Sequence, residues 1–386
     1  MRRTLAGFMA LMGAALTFGC ASDQVRYAPI GTLPPSGEPA AAVLYLVGDA
    51  GEVNAQRDAV LAHLRQDIDA VARGGEGPPV LVAFLGDNIY GEGATPDPAA
   101  EDLRKLSGQV LAFPPLTNVR GVFVPGNHDW ADGAGFEDGR EAIELQSSWV
   151  ETMSEGRNVA FSPADGCPGP VSEDLGGVVR LVFIDTEWLL RGATDARCGS
   201  AADFYGRLTA ALREGGDRPV VLLAHHPLAS GGPHGGNVGL FERQPVVYYL
   251  AAKGGAMRQD LGSSAYTAMR REIAAAITAS EAPPLLQAAG HDHTLQVIRM
   301  AGDGEPRYQL VSGSASKTSR VRRIEGTRYA SDGFGYIRLD FRAGGVGVVV
   351  YARPVDGGPV RAVFTCTLTR SAPATECPEA PVSDGG

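Results

Sequence analysis

Short apolar runs alternate with segments of helical period along most of the chain. Runs of strand length, each closed by a glycine or a polar residue, occupy residues 41–47, 79–85, 119–125, 178–184, 219–224 and 285–289. Between them, apolar residues recur at helical spacing in residues 54–73, 98–112, 140–153, 203–213 and 263–279. Strands that alternate with helices indicate a largely parallel sheet covered by helices, so the pattern predicts an α/β protein.

The pattern changes after residue 294. Residues 295–300, 307–311, 335–341, 346–352 and 360–368 have the character of strands, and no helical segment separates them. Strands that follow one another directly favour antiparallel pairing, so we expect a second, mixed or antiparallel sheet here. We assign residues 39–368 to one folded domain and residues 369–386 to a C-terminal tail.

The N-terminus has the features of a targeting segment. Arg2 and Arg3 precede an apolar run at residues 5–18, and Gly19-Cys20 follows it. Residues 1–20 resemble a lipoprotein-type signal peptide with Cys20 as the lipidated residue; an ordinary cleaved secretory signal is the alternative. Residues 21–38 are rich in Pro and Gly and are expected to form a flexible linker. The sequence thus predicts an exported protein, either anchored to a membrane through Cys20 or free in the periplasm or medium.

Composition narrows the possible partners and the redox state. The net charge of −10 argues against capture of nucleic acid by the whole surface. Besides Cys20 there are four cysteines, an even number that suggests disulfides in an exported chain. Three pairings are possible, and proximity favours Cys167–Cys198 with Cys366–Cys377. No Cys-x-x-Cys pair is present, so we do not expect a thiolate metal site.

Polar side chains follow five of the predicted strands. They are Asp49 after the first, Asp87 and Tyr90 after the second, Asn127 and His128 after the third, His225, and finally His291 and His293. Six of the seven histidines lie in these loops, and only His63 lies elsewhere. The carboxyl ends of parallel strands meet at one edge of a sheet, so these groups should converge. Oxygen and imidazole donors suit Zn, Mn or Fe, and a carboxylate can bridge a metal pair.

The ordered motifs Gly-Asp, Gly-Asp-Asn-x-Tyr, Gly-Asn-His-Asp, His and Gly-His-Asp-His resemble those of the calcineurin-like metallophosphoesterase superfamily. The resemblance covers about residues 41–352 and is greatest to the small, tartrate-resistant purple acid phosphatases. Two details favour that branch. Gly48-Asp49-Ala50-Gly51 lacks the His that most of the superfamily has two residues after the Asp, and Tyr90 stands three residues after Asp87. The resemblance implies a four-layer α-β-β-α sandwich.

The resemblance also implies roles for individual residues. The implied metal ligands are Asp49, Tyr90 and His293 for Fe(III), Asp87 as the bridge, and Asn127, His225 and His291 for a divalent metal (Fe, Zn or Mn). His128 would stabilise the phosphate or protonate the leaving group, and Asp129 would orient His128. His234 stands where small members have a second substrate-contacting His. His226 receives no role and is expected to be partly exposed.

The function that follows from the resemblance is hydrolysis of small-molecule phosphate monoesters, as in an acid phosphatase, by a metal-activated hydroxide. A phosphodiesterase or nucleotide hydrolase on the same metal site is the alternative, because the pocket walls at residues 91–97 and 231–262 decide which ester fits. A lesser alternative is a surface lipoprotein that binds a ligand without catalysis. No nucleic-acid partner is expected.

Overall fold

The computed structural model describes residues 38–91, 93–96, 100–154, 156–192, 195–235, 258–369 and 377. The predicted signal peptide and nearly all of the predicted linker and tail lie outside these residues, so those boundaries stay predictions. Within the described ranges, no helix combines the length and apolar character needed to span a bilayer.

All the predicted strands and helices form, in the predicted order, and the described residues add three strands and one short helix. The strands are β1 Ala42–Val47, β2 Val80–Phe84, β3 Val119–Phe123, β4 Asn158–Phe161, β5 Val171–Leu175, β6 Val179–Phe183, β7 Val220–Leu223, β8 Leu286–Ala289, β9 Leu295–Arg299, β10 Tyr308–Ser312, β11 Thr327–Ser331, β12 Phe334–Arg342, β13 Gly345–Arg353 and β14 Arg361–Leu368. The helices are α1 Ala55–Ala72, α2 Ala100–Val110, α3 Phe136–Thr152, α4 Thr186–Leu190, α5 Ala201–Arg213 and α6 Ser264–Ser280.

The strands form two mixed sheets. The first has the order β14-β13-β12-β1-β2-β3-β4, and the second has the order β11-β9-β10-β8-β7-β6-β5. Strands β1 to β4 run parallel to one another, as do β6, β7, β8 and β10. The later strands do not make a sheet of their own, contrary to our expectation. Strands β12 to β14 extend the first sheet through β1, whereas β9 and β11 extend the second through β10.

The motif-bearing strands are therefore divided, with β1, β2 and β3 in the first sheet and β7 and β8 in the second. The chain leaves the first sheet between β4 and β5, two strands that the sequence analysis missed. Both are short edge strands with few buried side chains, so they lack the continuous apolar run of a central strand. Without them, the sequence gives no sign that the chain changes sheets.

Alternate side chains of each central strand point to opposite faces of the sheet and pack into two different core layers. Leu44 and Leu46 of β1 face the second sheet, whereas Tyr45 and Val47 pack with α1 and α2. On the outer face of the second sheet, Leu222 of β7 packs with α5 and α6. Strands buried on both faces account for the continuous apolar runs in the sequence. The four-layer α-β-β-α sandwich is thus confirmed.

The two sheets touch at the carboxyl ends of the parallel strands. The Gly48 N–H after β1 donates to the Ser312 carbonyl at the end of β10, at 2.7 Å. The Ala315 N–H donates back to the Gly48 carbonyl at 3.2 Å. Loops from both sheets are therefore brought to one edge. The favoured cysteine pairing is also confirmed, because Cys167–Cys198 and Cys366–Cys377 are disulfides.

Candidate metal centre

Three of the predicted ligands lie in turns that L-residues rarely adopt. Asp49, Asp87 and His291 have φ values of +59°, +53° and +68°. Each directly follows a glycine and a strand. Backbone of this kind is costly outside glycine and concentrates at functional sites, where the surrounding structure holds it in place.

Glycine at these turns allows the loops to approach one another. A Cβ on Gly290 would lie 2.5 Å from the Asp49 Oδ2 atom, and a Cβ on Gly126 would lie 2.4 Å from the Asp87 Oδ1 atom. Any side chain at either position would displace a predicted ligand. The glycines of the motifs therefore set the spacing of the carboxylates as well as the turns.

Asp49, Tyr90 and His293 form one tight group, which we call the tyrosine cluster. The Tyr90 hydroxyl lies 3.0 Å from Asp49 Oδ1 and 3.0 Å from His293 Nε2. His293 Nε2 is 3.5 Å from the same Asp49 oxygen. The second Asp49 oxygen accepts the His291 N–H at 2.9 Å, which fixes the carboxylate. Burial and then the neighbouring Asp49 carboxylate raise the pKa of Tyr90 well above its usual value.

Asn127, His225 and His291 form a second group, which we call the histidine cluster. His225 Nε2 lies 3.0 Å from Asn127 Oδ1, and His291 Nδ1 lies 3.2 Å from it. The two imidazole nitrogens are 3.3 Å apart. The opposite nitrogens of the rings are engaged by backbone, since His225 Nδ1 donates to the Leu85 carbonyl at 2.8 Å and His291 Nε2 to the Gln259 carbonyl at 2.9 Å.

These outer hydrogen bonds fix the tautomers. They leave lone pairs on His225 Nε2 and His291 Nδ1 that point at each other and at an amide oxygen. Three acceptors at hydrogen-bond distance, with no donor among them, repel one another unless a proton or a cation lies between them. Neutral imidazole and amide oxygen are suitable ligands for a divalent metal, so the donor set of this cluster fits one.

Asp87 joins the two clusters. Its Oδ1 atom is 3.4 Å from His225 Nε2 and accepts the His128 N–H at 3.1 Å. Ligand atoms of Asp49, Asp87 and His225 all lie within 4.8 Å of one another. Burial opposes the charged form of Asp87, but the nearby His225 and His128 lower its pKa below the usual value. A buried carboxylate that stays ionised between two donor groups is placed as a bridge requires.

His226 also lies near the metal-binding atoms, within 4.8 Å of those of His225 and His291. Both of its nitrogens, however, are engaged by protein side chains. Nδ1 lies 2.7 Å from the Thr186 hydroxyl and Nε2 lies 2.6 Å from Gln259 Oε1. The expectation of partial exposure is wrong, because His226 is fully buried. Burial, and then the neighbouring His225, lower its pKa well below the usual value.

His128 is partly exposed beside the tyrosine cluster. Its Nδ1 atom lies 3.1 Å from the Gly91 carbonyl, and its ring meets the Tyr90 ring edge-on with centroids 4.8 Å apart. Gly91, which the sequence analysis did not single out, therefore orients this imidazole. Because the Gly91 carbonyl engages Nδ1, the Nε2 atom of His128 is the nitrogen that can exchange a proton with a bound molecule.

Asp129 does not orient His128, contrary to the role we expected. Its carboxylate accepts backbone N–H groups of Gly126 at 2.8 Å, Asn88 at 3.0 Å and Ile89 at 3.1 Å. These bonds tie the loop after β2 to the loop after β3, so Asp129 positions Asp87 and Asn127 through the backbone. Burial and the charge of Asp87 raise the pKa of Asp129 to about 6.

His234 lies on the histidine cluster. Its ring stacks on that of His291 with centroids 4.2 Å apart, and its Nδ1 atom is 2.8 Å from Asp260 Oδ1. Burial opposes protonation of His234, but the hydrogen bond to Asp260 and the charge of Asp292 raise its pKa. Much of the expected pocket wall cannot be placed, because residues 92, 97–99 and 236–257 lie outside the described residues.

Lys317 is a site residue that the sequence analysis missed. Its Nζ atom lies 3.3 Å from the centroid of the Tyr90 ring. The residue belongs to the loop after β10, which is a sixth strand end at the same edge. The other five strand ends are marked by metal-type donors, and a lysine in a loop has no such signal.

Comparisons with known proteins agree with this architecture. The model of the calcineurin-like phosphoesterase family matches residues 43–253, which is more than half of the chain. One similar solved structure is that of GAP50, the anchor in the inner membrane complex of Plasmodium, at 14% identity and a TM-score of 0.55, covering 86% of this chain and 90% of that chain. Another is PhoD, at 12% identity and a TM-score of 0.52, covering 92% of this chain and 75% of that chain.

At these identities the two likenesses concern the fold alone. No curated protein matches the sequence significantly. The family model covers the first four motif-bearing strands, and the structure brings Asp49, Asp87 and His225 from these strands together in an arrangement that could hold a metal ion. The chain belongs to the calcineurin-like phosphoesterase family.

Proposed function

We propose that the protein is an exported phosphatase of the purple acid type, which hydrolyses small phosphate monoesters at a site for Fe(III) and a divalent metal. The observation that carries the proposal is the Tyr90 hydroxyl, 3.0 Å from both Asp49 Oδ1 and His293 Nε2. A phenol oxygen, a carboxylate and an imidazole form a donor set suited to trivalent iron.

Each metal is assigned to the cluster of donor atoms that face one another. The tyrosine cluster would hold the iron, the histidine cluster would hold the divalent metal, and Asp87 would bridge them. When bound, such a metal pair lowers the pKa of a water molecule and stabilises charge on the transferred phosphoryl oxygens. Leu85 and Gln259 hold His225 and His291 in the ligating tautomers through their carbonyl groups.

His128 supplies the proton that the leaving oxygen needs. The Gly91 carbonyl engages Nδ1, so the proton is given from Nε2 on the exposed side of the ring. His234, held by Asp260 through Nδ1, offers its other nitrogen to an oxygen of the substrate. Both imidazoles border the clusters without belonging to either set of ligand atoms.

Export is supported by the two disulfides, which persist in oxidising compartments, together with the signal-like N-terminus. Lipid attachment at Cys20 remains part of the proposal. Loss of lipid labelling and of membrane fractionation in Cys20→Ala would support it, and unchanged fractionation would favour simple secretion.

The test of the catalytic proposal is His128→Ala, assayed on aryl and alkyl phosphate monoesters. We expect the metal content to be unchanged and turnover to fall by about 10²–10⁴-fold, most for esters with poor leaving groups, because those depend most on protonation. The matched control is His63→Ala on α1, whose partner is the Tyr336 hydroxyl. Equal losses of turnover for all leaving groups in His128→Ala would contradict the role of His128 as proton donor. Faster hydrolysis of diesters than of monoesters by wild type would overturn the monoesterase assignment.

A further inference from the structure

A short basic segment lies beside the metal centre of this acidic protein. Residues 317–323, Lys-Thr-Ser-Arg-Val-Arg-Arg, contain four basic residues in seven and no acidic one, in a chain of net charge −10. We call this segment the basic loop. It follows β10 and leaves the second sheet at the same edge as the loops that carry His225 and His291.

Backbone contacts fix the basic loop to both sides of the site. The Ser319 N–H donates to the His293 carbonyl at 2.8 Å, next to the tyrosine cluster. The Arg322 N–H donates to the Gly231 carbonyl at 3.0 Å, three residues before His234. The loop therefore runs along the rim from one predicted metal ligand to the segment that carries the second substrate-contacting histidine.

Lys317 shows which part of the substrate the loop faces. Its ammonium group lies over the Tyr90 ring, and the edge of that ring contacts His128. Glu52 Oε2, 3.4 Å from Nζ, holds the lysine in this position. Since His128 gives its proton to the leaving oxygen, the loop begins on the leaving-group side of the transferred phosphoryl.

Two arginines of the loop, Arg320 and Arg322, carry charge that no carboxylate of the described residues neutralises. Arg320 is exposed and Arg322 is half-buried. Within the described part of the chain, neither guanidinium is paired with a carboxylate. By contrast, Arg338 is paired with both Asp67 and Asp340. Unpaired cations along a rim attract and orient anions.

We propose that the basic loop binds negative charge on the leaving group, so that the preferred substrates are phosphate compounds whose leaving group is itself anionic. The charge is a second phosphate or a carboxylate. This inference rests on the proposed function and adds the substrate class. In the reaction, a water oxygen forms a bond to phosphorus and loses a proton to the solvent. The bond from phosphorus to the leaving oxygen breaks, that oxygen takes the His128 proton, and His128 regains a proton from the solvent. The loop residues keep their own protons throughout.

The test compares matched esters that differ in charge. We would measure kcat/KM for phenyl phosphate, p-carboxyphenyl phosphate and inorganic pyrophosphate with wild type, Arg320→Gln and Arg322→Gln. Each substitution should lower kcat/KM for the two substrates with a charged leaving group about fivefold, the size of one partly screened ion pair, and should lower kcat/KM for phenyl phosphate much less. Added salt should weaken the wild-type preference. Arg361→Gln, at an exposed position in the edge strand β14, is the control.

p-Carboxyphenyl phosphate and pyrophosphate distinguish a carboxylate from a second phosphate as the leaving-group charge. The substrate whose kcat/KM falls more in the variants carries the preferred charge. Equal losses for charged and neutral esters would overturn the inference, because the loop would then act on the transferred phosphoryl or on the fold. A binding measurement needs no turnover: wild type should bind p-carboxybenzylphosphonate more tightly than benzylphosphonate, and Arg320→Gln should lose that preference. If no substrate is turned over but p-carboxybenzylphosphonate still binds more tightly, the proposed function is refuted and the inference about the basic loop is not. Equal binding of the two phosphonates would refute the inference.

Discussion

His225 and His226 are adjacent in the sequence and equally buried, but they belong to two different polar regions. His225 is part of the histidine cluster, where imidazole lone pairs and an amide oxygen face one another at 3.0 to 3.3 Å. His226 belongs to a supporting network formed by Thr186, Glu187, Arg191, His226 and Gln259. There, each imidazole nitrogen lies against a protein side chain.

The side chains of the supporting network are hydrogen-bonded to one another. Gln259 Nε2 donates to Glu187 Oε2 at 2.9 Å, and Arg191 Nε donates to Glu187 Oε1 at 2.8 Å. Arg191 also donates to the Trp130 carbonyl at 2.9 Å, just beyond the His128 loop. A buried polar group that finds its partners in the protein stabilises the fold, whereas buried acceptors that face one another indicate a missing cation.

The largest expected effect separates the two histidines directly. His225→Ala should lose the metal of the histidine cluster and about 10³-fold or more in turnover, since removal of a single stabilising donor already costs 10²–10³-fold. His226→Gln, the matched variant, should keep its metal content, because both nitrogens of His226 are engaged by the Thr186 and Gln259 side chains. Metal content and turnover, measured on the same preparations, test this difference between the two histidines. Metal loss in His226→Gln would contradict the supporting role of His226.

The second prediction concerns the ion pair of the supporting network, whose Arg191 and Glu187 side chains are 5% and 1% exposed. Arg191→Leu should lower the free energy of unfolding by about 3–5 kcal/mol, because it leaves a buried carboxylate without its cation. The double variant Arg191→Leu/Glu187→Leu should be less destabilised than the sum of the single variants.

Urea unfolding of the four proteins in this cycle gives the coupling energy. Metal content in the folded state should be the same in all of them. Additive destabilisation, or metal release at urea concentrations where the fold is intact, would contradict a purely supporting role for the network.

The smallest effect is a pH dependence at the edge of the network. Asp185 accepts the Trp130 Nε1–H at 2.6 Å, and burial raises its pKa from 3.8 to about 7. Between these values the folded protein holds a proton that the unfolded chain releases, so this contribution to stability is present below 3.8 and is lost as the pH rises to about 7.

Asp185→Asn lacks this contribution. The destabilisation that it causes should therefore be larger at about pH 5 than at about pH 8. Urea unfolding at the two pH values measures it, with Asp303→Asn at an exposed turn as control. An equal effect of Asp185→Asn at both values would show that the carboxyl group is ionised in the folded protein throughout.

The contrast between His225 and His226 also shows how far the sequence could predict the site. Asp49, Asp87 and His291 were identifiable because each follows a glycine at the end of an apolar run, and strand ends converge. The roles of His226 and Asp129 were not predictable in this way. His226 is bound by Thr186 and Gln259, which are 40 and 33 residues away, and Asp129 turned toward backbone groups 40 and 41 residues away.

The division of the strands between the sheets was hidden for a similar reason. Strand pairing is a long-range property, and β4 and β5, where the chain changes sheets, are too exposed to show an apolar period. Lys317 was missed because its role depends on contact with the Tyr90 ring, 227 residues earlier in the chain. Local pattern thus predicted most of the elements and the donors, and tertiary contacts decided which donors share a site.

The most direct test of the account is the visible absorption of the iron-loaded protein, because Tyr90 is the residue on which the assignment to the purple acid type depends. A phenolate bound to Fe(III) absorbs visible light by charge transfer, so wild type should be purple or pink. Tyr90→Phe should lose the colour and retain iron less well, whereas Tyr45→Phe, whose hydroxyl donates to Asp67, should keep both. A wild-type protein that is loaded with Fe(III) by metal analysis and yet colourless would contradict Tyr90 as a ligand.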